Sequence, residues 1–150
     1  MYKSSAWAAF IAMLALLCAC SGGDSSPTEP GGPGSTVPLG QEYALRVGER
    51  VRLEGTSLEV VLLRVFSDSR CPIDVTCPAA GTVDLELQVT QAQRESFSEV
   101  IRFTGTGGQQ DRVTFFGYRF VVQRVLPARR QGEQIPQLEY RVFLISSVDR

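Results

Sequence analysis

From residue 43 onward, apolar and polar positions alternate with period two, which marks strands with one buried face. Val51 and Leu53 are interleaved with Arg50, Arg52 and Glu54. Residues 58–66 are rich in Leu and β-branched side chains, and predict a strand covered on both faces. Val83, Leu85, Leu87 and Val89 alternate with Asp84, Glu86, Gln88 and Thr90, giving the clearest strand, with one wet face. Ile101 and Phe103 alternate with Val100, Arg102 and Thr104. Residues 113–116 and 118–125 read as one long strand bulged at Gly117, and residues 140–145 close the set. Gly48-Glu49 and the Gly-rich residues 105–108 mark turns. Residues 90–98 lack the apolar stripe a helix needs and read as a loop or hairpin. Residues 127–137 read as an exposed hairpin tip, with Asp111 and Arg112 as loop charges. Seven or eight short strands punctuated in this way predict an all-β fold, a single antiparallel sandwich or small barrel over residues 41–150.

The N-terminus follows a different pattern. Lys3 precedes an unbroken apolar run over residues 6–17. The run is shorter than the roughly 20 residues a membrane span needs and has the length of a signal-peptide core. It ends in Leu17-Cys18-Ala19-Cys20-Ser21, which resembles the lipobox of bacterial lipoproteins. That resemblance implies a signal peptide over residues 1–19, cleavage before Cys20, and acylation of the Cys20 thiol and amine. Cys18 fits less well, because Leu17 would occupy the small-residue position before it. Three acyl chains exceed the two signals that stable anchoring takes. Ser21 in place of Asp favours the outer over the inner membrane, by the sorting rule of enteric bacteria. Residues 20–40 are mostly Gly, Pro, Ser and Thr, and predict a disordered tether with a reach of roughly 25 Å.

Composition narrows the chemistry. The chain has 150 residues, 43% hydrophobic and 21% charged, with net charge -1, which fits one domain and no nucleic-acid partner. It contains no His, and Lys3, Trp7, Met1 and Met13 all lie in the first 13 residues. All basic side chains of the domain are therefore Arg. Catalysis by Ser-His-Asp, Cys-His or Ser-Lys sets has no residues to draw on, and His-containing metal sites are excluded. Asp84 and Glu86 share a strand face, but two carboxylates on a wet face are more often solvated than catalytic. The expectation is a protein that is not an enzyme and holds no cofactor or metal.

One local motif stands apart: Asp68-Ser69-Arg70-Cys71-Pro72, then Cys77, then Ala80-Gly81. In an exported chain a Cys pair reads as a disulfide, and Cys71 and Cys77 are the two thiols left after processing at Cys20. The stretch resembles a loop found in small bacterial lipoproteins of uncharacterised function, of the form D-S-R-C-P…C-x-x-A-G followed by an alternating strand. Ala79, after Pro78, stands where that pattern has an aromatic. The resemblance brings no activity with it. Asp68 and Arg70 read either as a binding loop or as an Asx-type turn with a packed Arg holding carbonyls or a carboxylate. The functional expectation is a membrane-anchored, non-catalytic binding or structural module of the cell envelope, with a protein or envelope partner. The alternative is a peptidase inhibitor presenting the disulfide-braced residues 68–81.

Overall fold

The computed structural model describes residues 34–92 and 95–150. Among them are nine strands: β1 (Ser35–Val37), β2 (Glu42–Arg46), β3 (Arg50–Leu53), β4 (Leu58–Asp68), β5 (Val83–Gln91), β6 (Glu95–Phe103), β7 (Arg112–Phe115), β8 (Tyr118–Leu126) and β9 (Arg141–Val148). They form a five-stranded sheet in the order β1-β3-β4-β5-β6 and a four-stranded sheet in the order β2-β9-β8-β7. Neighbouring strands are antiparallel except β1 and β3, which run parallel. The two sheets are open-edged and pack face to face as a sandwich, not a barrel.

The alternation read along the chain sets the core. Val83, Leu85, Leu87 and Val89 of β5 point inward and are fully buried. They meet Leu45, Phe120, Val142 and Leu144 of the other sheet in one continuous cluster. Burying each such side chain contributes about 2 kcal/mol. Tyr43 lies in the same core, and its phenol hydrogen-bonds the buried Ser146 hydroxyl at 2.6 Å. Burial pushes that phenol far above its ordinary value, so it stays neutral.

The structure departs from the sequence expectations in four places. The domain begins before residue 41, because Ser35–Val37 forms β1 inside the predicted tether. Val37 is buried in the core and Leu39 packs against it; these are the two large apolar residues that tether contains. The predicted signal peptide and residues 20–33 of the tether, Cys20 included, lie outside the described residues. Gly117 is not a bulge. Phe116 and Gly117 have φ of 51° and 77°, the left-handed pair of a two-residue type I′ turn, and they fold the expected long strand into the β7–β8 hairpin. The bulge falls between Val122 and Arg124 instead. Residues 90–92 and 95–98 do belong to a hairpin, as expected, with Gln91 facing Glu95. In residues 58–66 both faces are covered only at Val60, Val61 and Leu62. Register shifts after Leu62 and Val65 then leave Arg64 and Phe66 exposed.

The fourth departure is Asp111, which is fully buried rather than a loop charge. One of its carboxylate oxygens accepts from the Thr104 N–H at 2.5 Å and the Thr104 hydroxyl at 2.9 Å, while the other accepts from the Gly107 N–H at 2.7 Å. Burial alone would raise this carboxyl, but the donors outweigh it and hold it below the usual carboxylate range. Asp111 thus fixes the chain where it crosses from β6 in one sheet to β7 in the other. An Asp111→Asn variant must point an NH2 group at one of these donors. It is expected to lose about 2 kcal/mol in urea unfolding; an unchanged midpoint would show that the carboxylate does not organise the crossing.

Candidate functional site

The segment between β4 and β5 carries the conspicuous motif. Its pairing continues beyond the strands, with the Ser69 N–H donating to Thr82 O at 2.8 Å and the Cys71 N–H to Ala80 O at 2.7 Å. Gly81 makes this approach feasible. Its φ is +74°, and a Cβ at that position would lie 1.9 Å from the Ser69 carbonyl oxygen. Cys71 and Cys77 are disulfide-bonded, with Cα atoms 5.8 Å apart. Inside the ring, the Val75 N–H donates to Pro72 O at 3.3 Å, closing a tight turn. The tip presents Ile73, which is 62% exposed, and Val75.

This braced loop rests on the β8–β9 connection. The Ile73 N–H donates to Arg129 O at 3.0 Å, and Asp74 accepts from the Gln131 N–H at 3.0 Å. The Arg129 guanidinium donates to Arg70 O at 3.2 Å. Residues 127–137 therefore form the expected connection between antiparallel strands, but a docked one, entered through a cis Leu126–Pro127 peptide. Gln137 docks its far end: its amide both accepts from Val65 N–H at 2.9 Å and donates to Val65 O at 2.8 Å, taking the place of a strand partner. A single Gln in a polar loop carries no sequence signal for that role.

Asp68 and Arg70 are turned into the protein. Asp68 accepts from the Arg70 N–H at 3.2 Å, which closes an Asx turn. It also accepts from the Arg70 Nε at 2.9 Å, from a terminal guanidinium nitrogen at 2.5 Å, and from the Tyr140 hydroxyl at 3.1 Å. The same guanidinium donates to Val125 O at 2.6 Å and Pro127 O at 2.9 Å. Their side chains keep only 16% and 7% exposure, for Arg70 and Asp68 respectively. Of the two readings of these residues, this is the turn-building one rather than a free recognition surface. Burial by itself would raise the Asp68 carboxyl, but Arg70 and Tyr140 outweigh it and hold it below the usual range. Burial and the neighbouring Asp68 charge push the Tyr140 phenol up to about 12. A carboxylate so saturated beside a phenol so reluctant to ionise is suited to holding structure, not to moving protons.

Beside the clamp lies a polar recess of about 440 Å³, lined by Phe66, Arg129, Glu133, Gln134 and Tyr140 among others. Arg64 covers one face of Phe66, with its guanidinium carbon 4.1 Å from the ring centroid. Asp84 and Glu86 face solvent as the alternation predicts, each held by a cross-strand Arg: Arg102 at 2.8 Å and Arg64 at 2.9 Å. Comparison with protein-family models, curated proteins and solved structures finds no match to this chain.

The folded-state Asp68 carboxyl titrates below its unfolded value, which is near 4. Its stabilising effect is therefore complete above about pH 4 and is lost as pH falls through the folded value. Asp68→Asn is expected to lower the melting temperature at neutral pH and to flatten its fall as pH drops below about 4. Arg70→Lys loses the planar fork and is expected to cost about 3 kcal/mol in chemical unfolding. Melting curves of the two variants that overlay the parent at every pH would refute the clamp.

Proposed function

We propose that this chain is a lipid-anchored lipoprotein of the bacterial cell envelope whose sandwich domain is a non-catalytic binding module. The lipobox-like Leu17-Cys18-Ala19-Cys20 and the Gly/Pro/Ser-rich segment after it support anchoring through acylated Cys20, with the outer membrane as the site. The observation that carries the binding reading is the division of labour in the braced loop. Its polar residues Asp68 and Arg70 are spent inside the fold, while Ile73 and Val75 are held in solvent by a disulfide and by contacts to the β8–β9 connection. An apolar tip whose ordering has been completed before contact loses little entropy on binding, and suits a protein or envelope partner. A peptidase inhibitor would use the same rigidity, but a substrate-like inhibitor lays an extended segment in a cleft. The Val75-to-Pro72 bond makes this tip a closed turn, which favours the binding reading.

Intact mass measurement of the membrane-extracted protein is expected to show a chain that starts at Cys20 and carries acyl groups, and Cys20→Ser is expected to release the protein from the membrane fraction. An unmodified Cys20 would refute the anchor. Ile73→Asp is expected to preserve thermal stability and abolish retention of the envelope partner, while a panel of serine, cysteine and metallopeptidases stays uninhibited. Inhibition of any of them would favour the alternative.

A further inference from the structure

The outer strand of the five-stranded sheet differs from the other carboxylate-bearing strands in how its carboxylates are met. β6 pairs with β5 along one side and ends the sheet on the other. Residues 95–100 are all exposed, whereas Ile101 and Phe103 are buried. The half of β6 near the hairpin tip is therefore an exposed edge with no strand partner on its outer side. An edge of this kind is a template for another strand.

The side chains on this half narrow the choice of partner. Glu95, Phe97 and Glu99 lie in the same row as Ile101 and Phe103, the row that turns toward the other sheet. Phe97 is 54% exposed and meets Phe116 edge to face, with ring centroids 5.3 Å apart. The two rings border an open groove of about 390 Å³, also lined by Glu99 and Thr114. On the other strands, the carboxylates of Glu42, Glu59, Asp68, Asp84 and Glu86 each form an ion pair with an Arg. Among the described residues, Glu95 and Glu99 have no such partner.

A second copy of the chain fits this edge poorly. Antiparallel pairing that sets Phe97 against Phe97 also sets Glu95 against Glu99 at both ends, and like charges directly opposite are destabilising. A basic strand reverses that sign. We propose that the β6 edge binds an extended peptide segment in which two basic residues flank an apolar one at alternate positions. The backbone would add to the sheet, the apolar side chain would enter the Phe97–Phe116 groove, and the basic ones would meet Glu95 and Glu99. This proposal rests on the binding-module reading but uses a different surface from the Ile73 tip, so the two can fail separately.

The test titrates a labelled peptide into the full chain in detergent micelles, with anisotropy as the readout. The peptide matches β6 in length and places Lys, Val and Lys at alternate central positions. The parent is expected to bind it, with affinity falling as salt rises. The double variant Glu95→Arg, Glu99→Arg is expected to lose about tenfold or more and to gain binding of the matching Glu-Val-Glu peptide. Amide exchange should show new protection in β6, and a peptide N-methylated at alternate residues should not bind, since it cannot complete the ladder. If the double variant fails to fold, Glu99→Gln takes its place, with a loss of about threefold expected. No binding by the parent, binding indifferent to these substitutions, or protection confined to residues 71–77 would overturn the proposal. So would a chain that dimerises through β6 and excludes the peptide.

Discussion

The Arg70 guanidinium ties the two halves of the sandwich together. It leaves the end of β4 in the five-stranded sheet, is gripped by Asp68, and reaches the carbonyls of Val125 and Pro127 at the end of β8 in the four-stranded sheet. Tyr140, at the entry to β9, completes the set through Asp68. A planar cation with several fixed donors can satisfy a carboxylate and two carbonyls at once, and a Lys cannot. Because both charges are largely removed from water, the cluster is sensitive to loss of any member, more than its number of bonds suggests.

The disulfide extends what the clamp begins. Arg70 secures the base of the β4–β5 connection, the Cys71–Cys77 bridge closes its outer ring, and the β8–β9 connection supports it from the side. Closing so short a loop contributes roughly 2 kcal/mol in the chain-entropy account. Its greater effect is on shape, since it holds Ile73 in solvent at a position an unbraced loop would not keep. The opposite side of the sheet is built on other terms. There the rows of Arg50, Arg52, Glu59, Glu86 and Asp84 form cross-strand pairs on the wet face. Each is worth only a fraction of a kcal/mol. Their consequence is a wet face neutral along β3 to β5, whereas Glu95 and Glu99 of β6 lie in the opposite row, the one that turns toward the other sheet.

The alternation of apolar residues determined the all-β class, the identity of β5, and most of the core, because a strand's two faces follow directly from a period of two. The Cys pair and the turn-building residues Asp68 and Arg70 were also legible, since their spacing and chemistry are local. What lay beyond the sequence were the contacts that depend on chain segments meeting from a distance. Asp111 looks like any loop carboxylate until the crossing from one sheet to the other wraps N–H groups around it. Val37 looks like a stray residue in a tether until β1 lies alongside β3. Gly117 sits where either a bulge or a turn would serve, and the pairing of β7 with β8 selects the turn. Which carboxylates find an Arg, and which on β6 do not, is decided only when the sheet places five strands side by side. Local periodicity governs which face each residue shows, while charge partners and crossings are long-range choices made by the assembled sandwich.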